Sequence, residues 1–309
     1  MIALIGPTAV GKTELSLTLA HRLDAEIVNC DSMQVYRRMA VLTQQPTPAQ
    51  RADVAHHLLD CVEPTAPFNV GQYRQAARAA IEDIRRRGKP VLIVGGTGLY
   101  LKALTDGLCD APPADAGVRE RLMSAAGLDG IPVLHARLQR VDPAAAAKIH
   151  PRDARRVVRA LEVYELTGKP LSSFWTWDRT RPSPITVIGL TRDRSQLSER
   201  INRRVERMIR DEGVLEEVRA LLGIPLSPTA RHVHGLRYLT SSLRGEQSLE
   251  EIVPLWQQQV RQYARRQLIW FRADPRIQWL DLTAQTTAQC VLHLLAILKT
   301  LPQPAGAPG

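Results

Sequence analysis

The segment Gly6 to Thr13 has the residue pattern of a phosphate-binding loop. It reads Gly6-Pro7-Thr8-Ala9-Val10-Gly11-Lys12-Thr13. Backbone N–H groups of such a loop surround phosphate oxygens, and the helix that follows adds its positive N-terminal end. Lys12 would then reach the outer phosphate and Thr13 would ligate Mg²⁺. The alternative is an ordinary glycine turn that binds nothing.

The loop predicts a polyphosphate ligand without specifying a nucleotide. A phosphate-loop ATPase normally has a later strand ending in Asp, which helps to hold the metal. The best candidate strand, Val91–Val94, is followed by Gly95–Thr97 instead. Asp31 does follow a strand, and it should lie at the carboxyl edge of the sheet, where open α/β folds bind ligands. There it could act as a general base or assist a metal, or it could simply cap a turn.

Arginines concentrate in three predicted helices. The clusters are Arg152, Arg155, Arg156 and Arg159; Arg200, Arg203, Arg204 and Arg207; and Arg261, Arg265, Arg266 and Arg272. The spacing of the first cluster predicts four arginines on one helix face, which would repel one another without an anionic partner. In the second cluster, Arg200 and Arg204 are one turn apart and could clamp a diphosphate. A solvated charged face is the alternative for the first cluster.

The composition agrees with a polyanionic partner. The chain has 309 residues and a formal net charge of +10 at pH 7. An Arg-rich proteome alone would give the same charge, but the clustering favours nucleic acid. The sequence has neither a long apolar run nor a secretory leader pattern, and its four cysteines are far apart. We therefore expect a cytoplasmic protein with reduced thiols and no membrane partner.

The elements that must position these residues alternate between strand and helix. Predicted strands are Ile2–Ile5, Glu26–Cys30, Val91–Val94, Ile185–Leu190 and Ile277–Leu282; long helices are predicted at residues 195–223 and 249–272. This order predicts an α/β fold, a P-loop NTPase-like parallel sheet with flanking helices and a mostly helical insertion. We expect residues 1–110 and 185–300 to form the catalytic core, 111–184 the insertion, and 301–309 a disordered tail.

The chain resembles the tRNA dimethylallyltransferases, also called tRNA isopentenyltransferases, over about residues 1–285. The motifs that carry the resemblance occur in the same order. They are Gly6–Thr13, Asp31-Ser32-Met33-Gln34-Val35-Tyr36-Arg37, His57-Leu58-Leu59-Asp60, Val94-Gly95-Gly96-Thr97-Gly98-Leu99-Tyr100, Ile149-His150-Pro151-Arg152-Asp153, Arg200 to Met208, and Arg261-Gln262-Tyr263-Ala264-Arg265-Arg266-Gln267. The chain departs from the usual family residues at Gln45, Leu236, Val260 and Ile269.

The resemblance implies an enzyme that moves a dimethylallyl group from dimethylallyl diphosphate to N6 of the adenosine just 3′ of the anticodon, with Mg²⁺ assisting. Asp31 corresponds to the general base, and Thr97 and Arg119 join it at the reactive base. The implied diphosphate-binding residues are Gly6, Pro7, Thr8, Ala9, Val10, Gly11, Lys12, Thr13 and Arg204, with Thr13 also on the metal.

The resemblance also implies a set of tRNA contacts. These are Asp31, Ser32, Met33, Gln34, Thr97, Arg119, Arg156, Val157, Val158, Arg159, Ala160, His232, Gly235, Arg237, Arg265, Arg266, Gln267, Trp270 and Arg272. The helical insertion would embrace the anticodon stem-loop, and the enzyme would act as a monomer. Three alternatives remain: an adenylate isopentenyltransferase acting on AMP or ADP, a small-molecule P-loop kinase, and a nucleic-acid-binding module without catalysis.

Overall fold

The computed structural model describes residues 1–109, 111–175 and 185–300, with side chains up to residue 298. The disorder expected for residues 301–309 lies outside the described residues. The chain divides into two compact units. The first unit comprises Met1–Thr105 and Arg179–Gly309, and the second comprises Asp106–Asp178.

The first unit is built on a six-stranded parallel sheet. The strands are β1 (Ile2–Ile5), β2 (Glu26–Asn29), β3 (His56–His57), β4 (Val91–Gly95), β5 (Thr186–Thr191) and β6 (Gln278–Asp281), in the order β3-β2-β4-β1-β5-β6. The parallel α/β fold and its five predicted strands are confirmed. Strand β3 is not predicted from the sequence, because a pair of residues is too short for a period-2 pattern.

Helices flank the sheet and make up the second unit. In chain order they are α1 (Lys12–Leu23), α2 (Pro48–Asp53), α3 (Val70–Arg86), α4 (Gly98–Thr105), α5 (Ala116–Asp129), α6 (Ile131–Val141), α7 (Pro143–Ala146), α8 (Ala154–Thr167), α9 (Arg194–Arg210), α10 (Val214–Arg219), α11 (Leu236–Leu243), α12 (Leu249–Arg272) and α13 (Thr287–Thr300). Short 3₁₀ helices lie at Leu171–Phe174 and Ala230–His232.

The predicted helix over residues 195–223 is wrong, because the chain forms α9 and α10 there instead. Gly213 separates them with a φ of 73°, in the left-handed region that favours glycine. The predicted helix over 249–272 is confirmed as α12. The break between α9 and α10 redirects the chain, so that carboxylates of α10 and its preceding turn contact the loop after β2.

Alternating residues of the central strand fill the two faces of the sheet. On β1, Leu4 points into a cluster shared with α1, α9 and α12, whereas Ala3 and Ile5 point into a cluster shared with α3 and α4. Burial on both faces explains why the strand is apolar throughout rather than alternating. It also fixes the carboxyl ends of β1, β2 and β4 along one edge of the sheet.

The second unit has its own apolar core. Its described residues form helices α5 to α8, which bury residues such as Leu122, Leu138 and Leu161. Helix α8 begins at Ala154, because the Asp153 side chain accepts a hydrogen bond from the backbone of Arg156 and caps the helix. The prediction that four arginines share one face of this helix is therefore wrong for Arg152, which precedes the helix.

Candidate active site

A cavity of about 840 Å³ opens at the carboxyl edge of the sheet in the first unit. Its wall includes Lys12 and Thr13 after β1, Asp31 after β2, and Arg200 and Arg204 of α9. The cavity therefore collects the phosphate loop, the predicted base and the predicted diphosphate clamp. These residues meet because parallel strands bring the loops at their carboxyl ends together.

The Lys12 side chain bonds back to the phosphate loop and lines the cavity. Its ammonium donates hydrogen bonds to the carbonyl oxygens of Gly6 and Pro7, at 3.0 and 2.8 Å. Burial lowers the pKa of Lys12 to about 8, although the nearby carboxylate of Asp31 opposes this effect. The site thus holds a cation that gains from an added anion, since a phosphate would offset its desolvation.

Two arginines of α9 hold the loop from the other side. The guanidinium of Arg204 donates to the Thr8 hydroxyl at 3.2 Å, and that of Arg200 donates to the carbonyl oxygen of Ala9 at 2.8 Å. Burial and the neighbouring Arg207 and Arg200 lower the pKa of Arg204 to about 10, so it is still a cation at neutral pH. The predicted clamp, Arg200 and Arg204, therefore lies against the loop.

The glycines at and just after the end of β4 allow close packing of the loop that follows. A Cβ on Gly95 would lie 2.1 Å from the carbonyl oxygen of Cys30, so only glycine fits there. Gln267 of α12 packs over the next residue and donates to the carbonyl oxygen of Gly96 at 2.9 Å. The same close approach brings Thr97 beside the loop that carries Asp31.

Asp31 and Thr97 belong to one hydrogen-bonded arrangement. The backbone of Met33 donates to the Asp31 carboxylate at 2.9 Å, and the backbone of Ser32 donates to the Thr97 hydroxyl at 2.9 Å. Burial raises the pKa of Asp31, outweighing the Met33 hydrogen bond and the charge of Lys12, which lower it. A carboxylate that is poorly solvated and held in place is suited to accept a proton.

Residues 40–45 also line the cavity. Gln34 donates to the carbonyl oxygens of Thr43 and Gln44, at 3.2 and 2.8 Å. Sequence reasoning missed the carboxylates that hold this segment, Glu212 and Glu217. No local pattern marks them, because each acts on residues more than a hundred positions away in the chain.

The other predicted tRNA contacts of the first unit differ in their exposure to solvent. Exposed residues are His232, Arg237, Arg265, Arg266, Trp270 and Arg272. Gly235 and Gln267 are buried, and the side-chain amide of Gln267 is bonded at both ends within the chain. The exposed group can contact a nucleic acid directly, whereas Gln267 supports the loops beneath it.

The predicted tRNA contacts of the second unit also include both exposed and buried residues. Arg119 and Arg156 are exposed, and Arg159 is half-buried. Arg119 and Arg159 both pair with Glu162, which is itself buried, at 2.9 Å. Val157, Val158 and Ala160 lie in the core of the unit, so their side chains are not available to a ligand.

The residues that could hold a metal are few. The described part of the chain contains no group of three His, Cys, Asp or Glu side chains close enough to bind an ion. The Thr13 hydroxyl at the cavity wall suits Mg²⁺, which commonly takes only a few protein ligands and completes its shell with substrate phosphates and water. Among the described helices, none has the length and apolar character needed to span a bilayer.

The sheet, the loop and the cavity define a protein with the P-loop NTPase-like fold. Two family models match the chain: "IPP transferase" over residues 34–274 and "Isopentenyl transferase" over residues 1–61. The chain belongs to the IPP transferase family. Similar curated proteins are the tRNA dimethylallyltransferases of Geobacter metallireducens (47% identical, over 91% of this chain and 92% of the relative) and Syntrophobacter fumaroxidans (46% identical, over 91% and 83%).

Solved structures agree with the family. The tRNA isopentenylpyrophosphate transferase of Bacillus halodurans is 36% identical, with a TM-score of 0.69 over 96% of this chain and 95% of that one. A eukaryotic dimethylallyltransferase, crystallised acting on tRNA, is 28% identical, with a TM-score of 0.81 over 97% and 78%. The family resemblance predicted from ordered motifs is thereby confirmed.

Proposed function

We propose that this chain transfers a dimethylallyl group from dimethylallyl diphosphate to N6 of the adenosine immediately 3′ of the anticodon in tRNA, and releases diphosphate. The observation that carries the proposal is a single cavity that contains the phosphate loop, two arginines and a separate carboxylate. The cations suit a departing polyphosphate, and Asp31 suits an incoming nucleophile. Family membership supplies the substrate class.

The donor diphosphate binds at the loop. The N–H groups of the loop, the ammonium of Lys12 and the guanidinium of Arg204 stabilise the negative charge that grows on the diphosphate as the C–O bond breaks. Their donors are already fixed by bonds to Gly6, Pro7 and Thr8. Little reorganisation is then needed during the reaction, which is the condition under which such stabilisation is strongest.

The acceptor amine reacts on the Asp31 side of the cavity. Its nitrogen forms the new bond to carbon, and Asp31 takes the proton that the amine loses. The raised pKa of Asp31 makes it a stronger base than an exposed aspartate. Thr97 holds the loop of Asp31 through the backbone of Ser32, so it positions the base even where it does not touch RNA.

Mg²⁺ fits this site through the Thr13 hydroxyl together with oxygens of the diphosphate. When bound, it would neutralise charge on the leaving diphosphate. Thr13 lies in the first turn of α1, so its position is set by the same strand–loop–helix unit that forms the phosphate loop.

The exposed arginines bind the tRNA. Arg119, Arg152, Arg155 and Arg156 of the helical unit, and Arg265, Arg266 and Arg272 of α12, can each bind backbone phosphates. We also propose that the enzyme acts as a monomer. A cytoplasmic location is proposed with it, as one that suits a tRNA substrate.

One assay tests the function against its rivals. The protein is incubated with Mg²⁺ and radiolabelled dimethylallyl diphosphate, and offered unmodified tRNA or AMP. Label in tRNA alone supports the proposal, and label in AMP replaces it with an adenylate isopentenyltransferase. Turnover of ATP without any transfer of label would mean a kinase, and tRNA binding with neither reaction would mean a binding module.

A further inference from the structure

The segment Met39–Gln45 is a helical turn at the cavity wall. The backbone of Thr43 donates to the carbonyl oxygen of Met39 at 3.0 Å, and that of Gln45 donates to the carbonyl oxygen of Ala40 at 2.9 Å. The first N–H groups of such a turn have no acceptor within it. Those of Val41 and Leu42 therefore need a partner from elsewhere in the fold.

Glu217 of α10 is that partner. One of its carboxylate oxygens accepts from Val41 at 2.8 Å, and the other accepts from Leu42 at 2.7 Å. Glu217 thus caps the turn from another part of the chain, with two charge-assisted hydrogen bonds at the positive end of the peptide dipoles. A second carboxylate, Glu212, accepts from the side chain of Gln44 at 2.7 Å.

The capped turn is bonded to the loop that carries Asp31. Gln34 donates to the carbonyl oxygen of Gln44 at 2.8 Å, and Gln45 donates back to the carbonyl oxygen of Gln34 at 2.9 Å. The adjacent residue, Met33, donates to the Asp31 carboxylate. Hydrogen bonds and one short backbone segment therefore connect Glu217 to Asp31.

We propose that Glu217 is a positioning residue that holds the Met39–Gln45 wall and, through Gln34, the geometry of Asp31. This inference rests on the proposed function for its kinetic consequence only. The diphosphate side of the cavity is held separately, by Lys12, Arg200 and Arg204. Loss of Glu217 should therefore reduce the rate of transfer without weakening the binding of diphosphate.

The test compares Glu217→Ala and Glu217→Gln with Glu216→Ala, a matched control on the same helix whose side chain is 70% exposed. Hydrogen exchange measures the protection of the Val41 and Leu42 amides. The kcat for transfer and the Kd for inorganic diphosphate are measured on the same variants. In Glu217→Ala we expect exchange at these amides to accelerate at least about tenfold. We expect kcat to fall about a hundredfold, the scale of a small misplacement of a catalytic group, with Kd unchanged.

Glu217→Gln keeps one acceptor oxygen and should recover part of both the protection and kcat, which a mere packing defect would not do. Unchanged exchange at Val41 and Leu42 in Glu217→Ala would overturn the capping role. Faster exchange with an unchanged kcat would overturn the positioning role. If the wild-type protein transfers nothing to tRNA, the proposed function fails, and the exchange and diphosphate measurements still decide whether Glu217 caps the turn.

Discussion

The side-chain oxygen of Gln267 accepts a hydrogen bond from the backbone nitrogen of Thr8 at 2.8 Å, although 259 positions separate the two residues. The nitrogen of the same side chain donates to the carbonyl oxygen of Gly96. Gln267 therefore connects the phosphate loop to the loop after β4 from a buried position, with 5% of the residue exposed. Gln267 therefore fixes the distance between the phosphate loop and Thr97.

Replacing Gln267 with Leu should destabilise the protein and weaken its hold on diphosphate. The change leaves the Thr8 nitrogen and the Gly96 oxygen without their partner, at a cost of about 1–3 kcal/mol for the buried Gly96 oxygen and less for the half-buried Thr8. Urea unfolding and the affinity for inorganic diphosphate measure the two effects. Gln262→Leu is the matched control, because Gln262 is exposed on the same helix. Equal losses in both variants would mean that the bridge contributes nothing.

The affinity for diphosphate should fall as the pH rises past the pKa of Lys12, which is about 8 in the unliganded protein. The diphosphate binds the charged lysine more tightly, so affinity is highest below that pKa. Above that pKa the affinity falls with a slope that approaches about tenfold for each further pH unit. Calorimetric titration between about pH 6 and 10 measures this slope.

Lys12→Met is the reference for that titration, because the ligand's own protonation is common to both proteins. The wild-type curve minus the variant curve isolates the lysine. A difference that stays constant across the range would show that Lys12 does not titrate there.

The carboxylate of Asp31 should be required for transfer but not for tRNA binding. Asp31→Asn retains an oxygen that can accept from Met33, so the loop keeps its shape while the base is lost. We expect kcat to fall about 10²- to 10⁴-fold, with tRNA affinity unchanged. Asp24→Asn, a change on the exposed C-cap of α1, controls for the loss of charge.

The pH–rate profile gives a second test of Asp31 as the general base. Burial raises its pKa, and only the ionised form accepts a proton, so the rate should fall as the pH drops through that raised pKa. This acid limb should lie above the ordinary value of about 4 and vanish in Asp31→Asn. An identical profile in the variant would assign the limb to another group.

The sequence was informative where chemistry follows from local pattern. The phosphate loop needs a strand before it and a helix after it, and β1 and α1 supply both. Asp31 was expected at the same edge because parallel strands align their carboxyl ends. These inferences needed no knowledge of how distant segments pack.

The sequence was uninformative where function depends on distant contacts. The helical spacing of Trp256, Val260 and Gln267 predicts that Gln267 lies on the buried face of α12, but only the packing of α12 on the two loops shows its role. No local sequence pattern predicts the role of Glu217, since its partners lie about 175 residues away. The charge spacing predicts Arg152 on the helix face, but the cap at Asp153 starts the helix after it.

Charge reversal at Arg155 should weaken tRNA binding and flatten its dependence on salt. Arg155 is exposed near the start of α8, whereas Arg159 is held by Glu162. Each phosphate contact contributes about 0.7–0.9 to the slope of log affinity against log salt, so Arg155→Glu should lose about that amount. Arg140→Glu is the matched control, an exposed arginine of α6 in the same unit with the same change in net charge. Equal slopes for the two variants would show that only net charge matters and would leave α8 a solvated face.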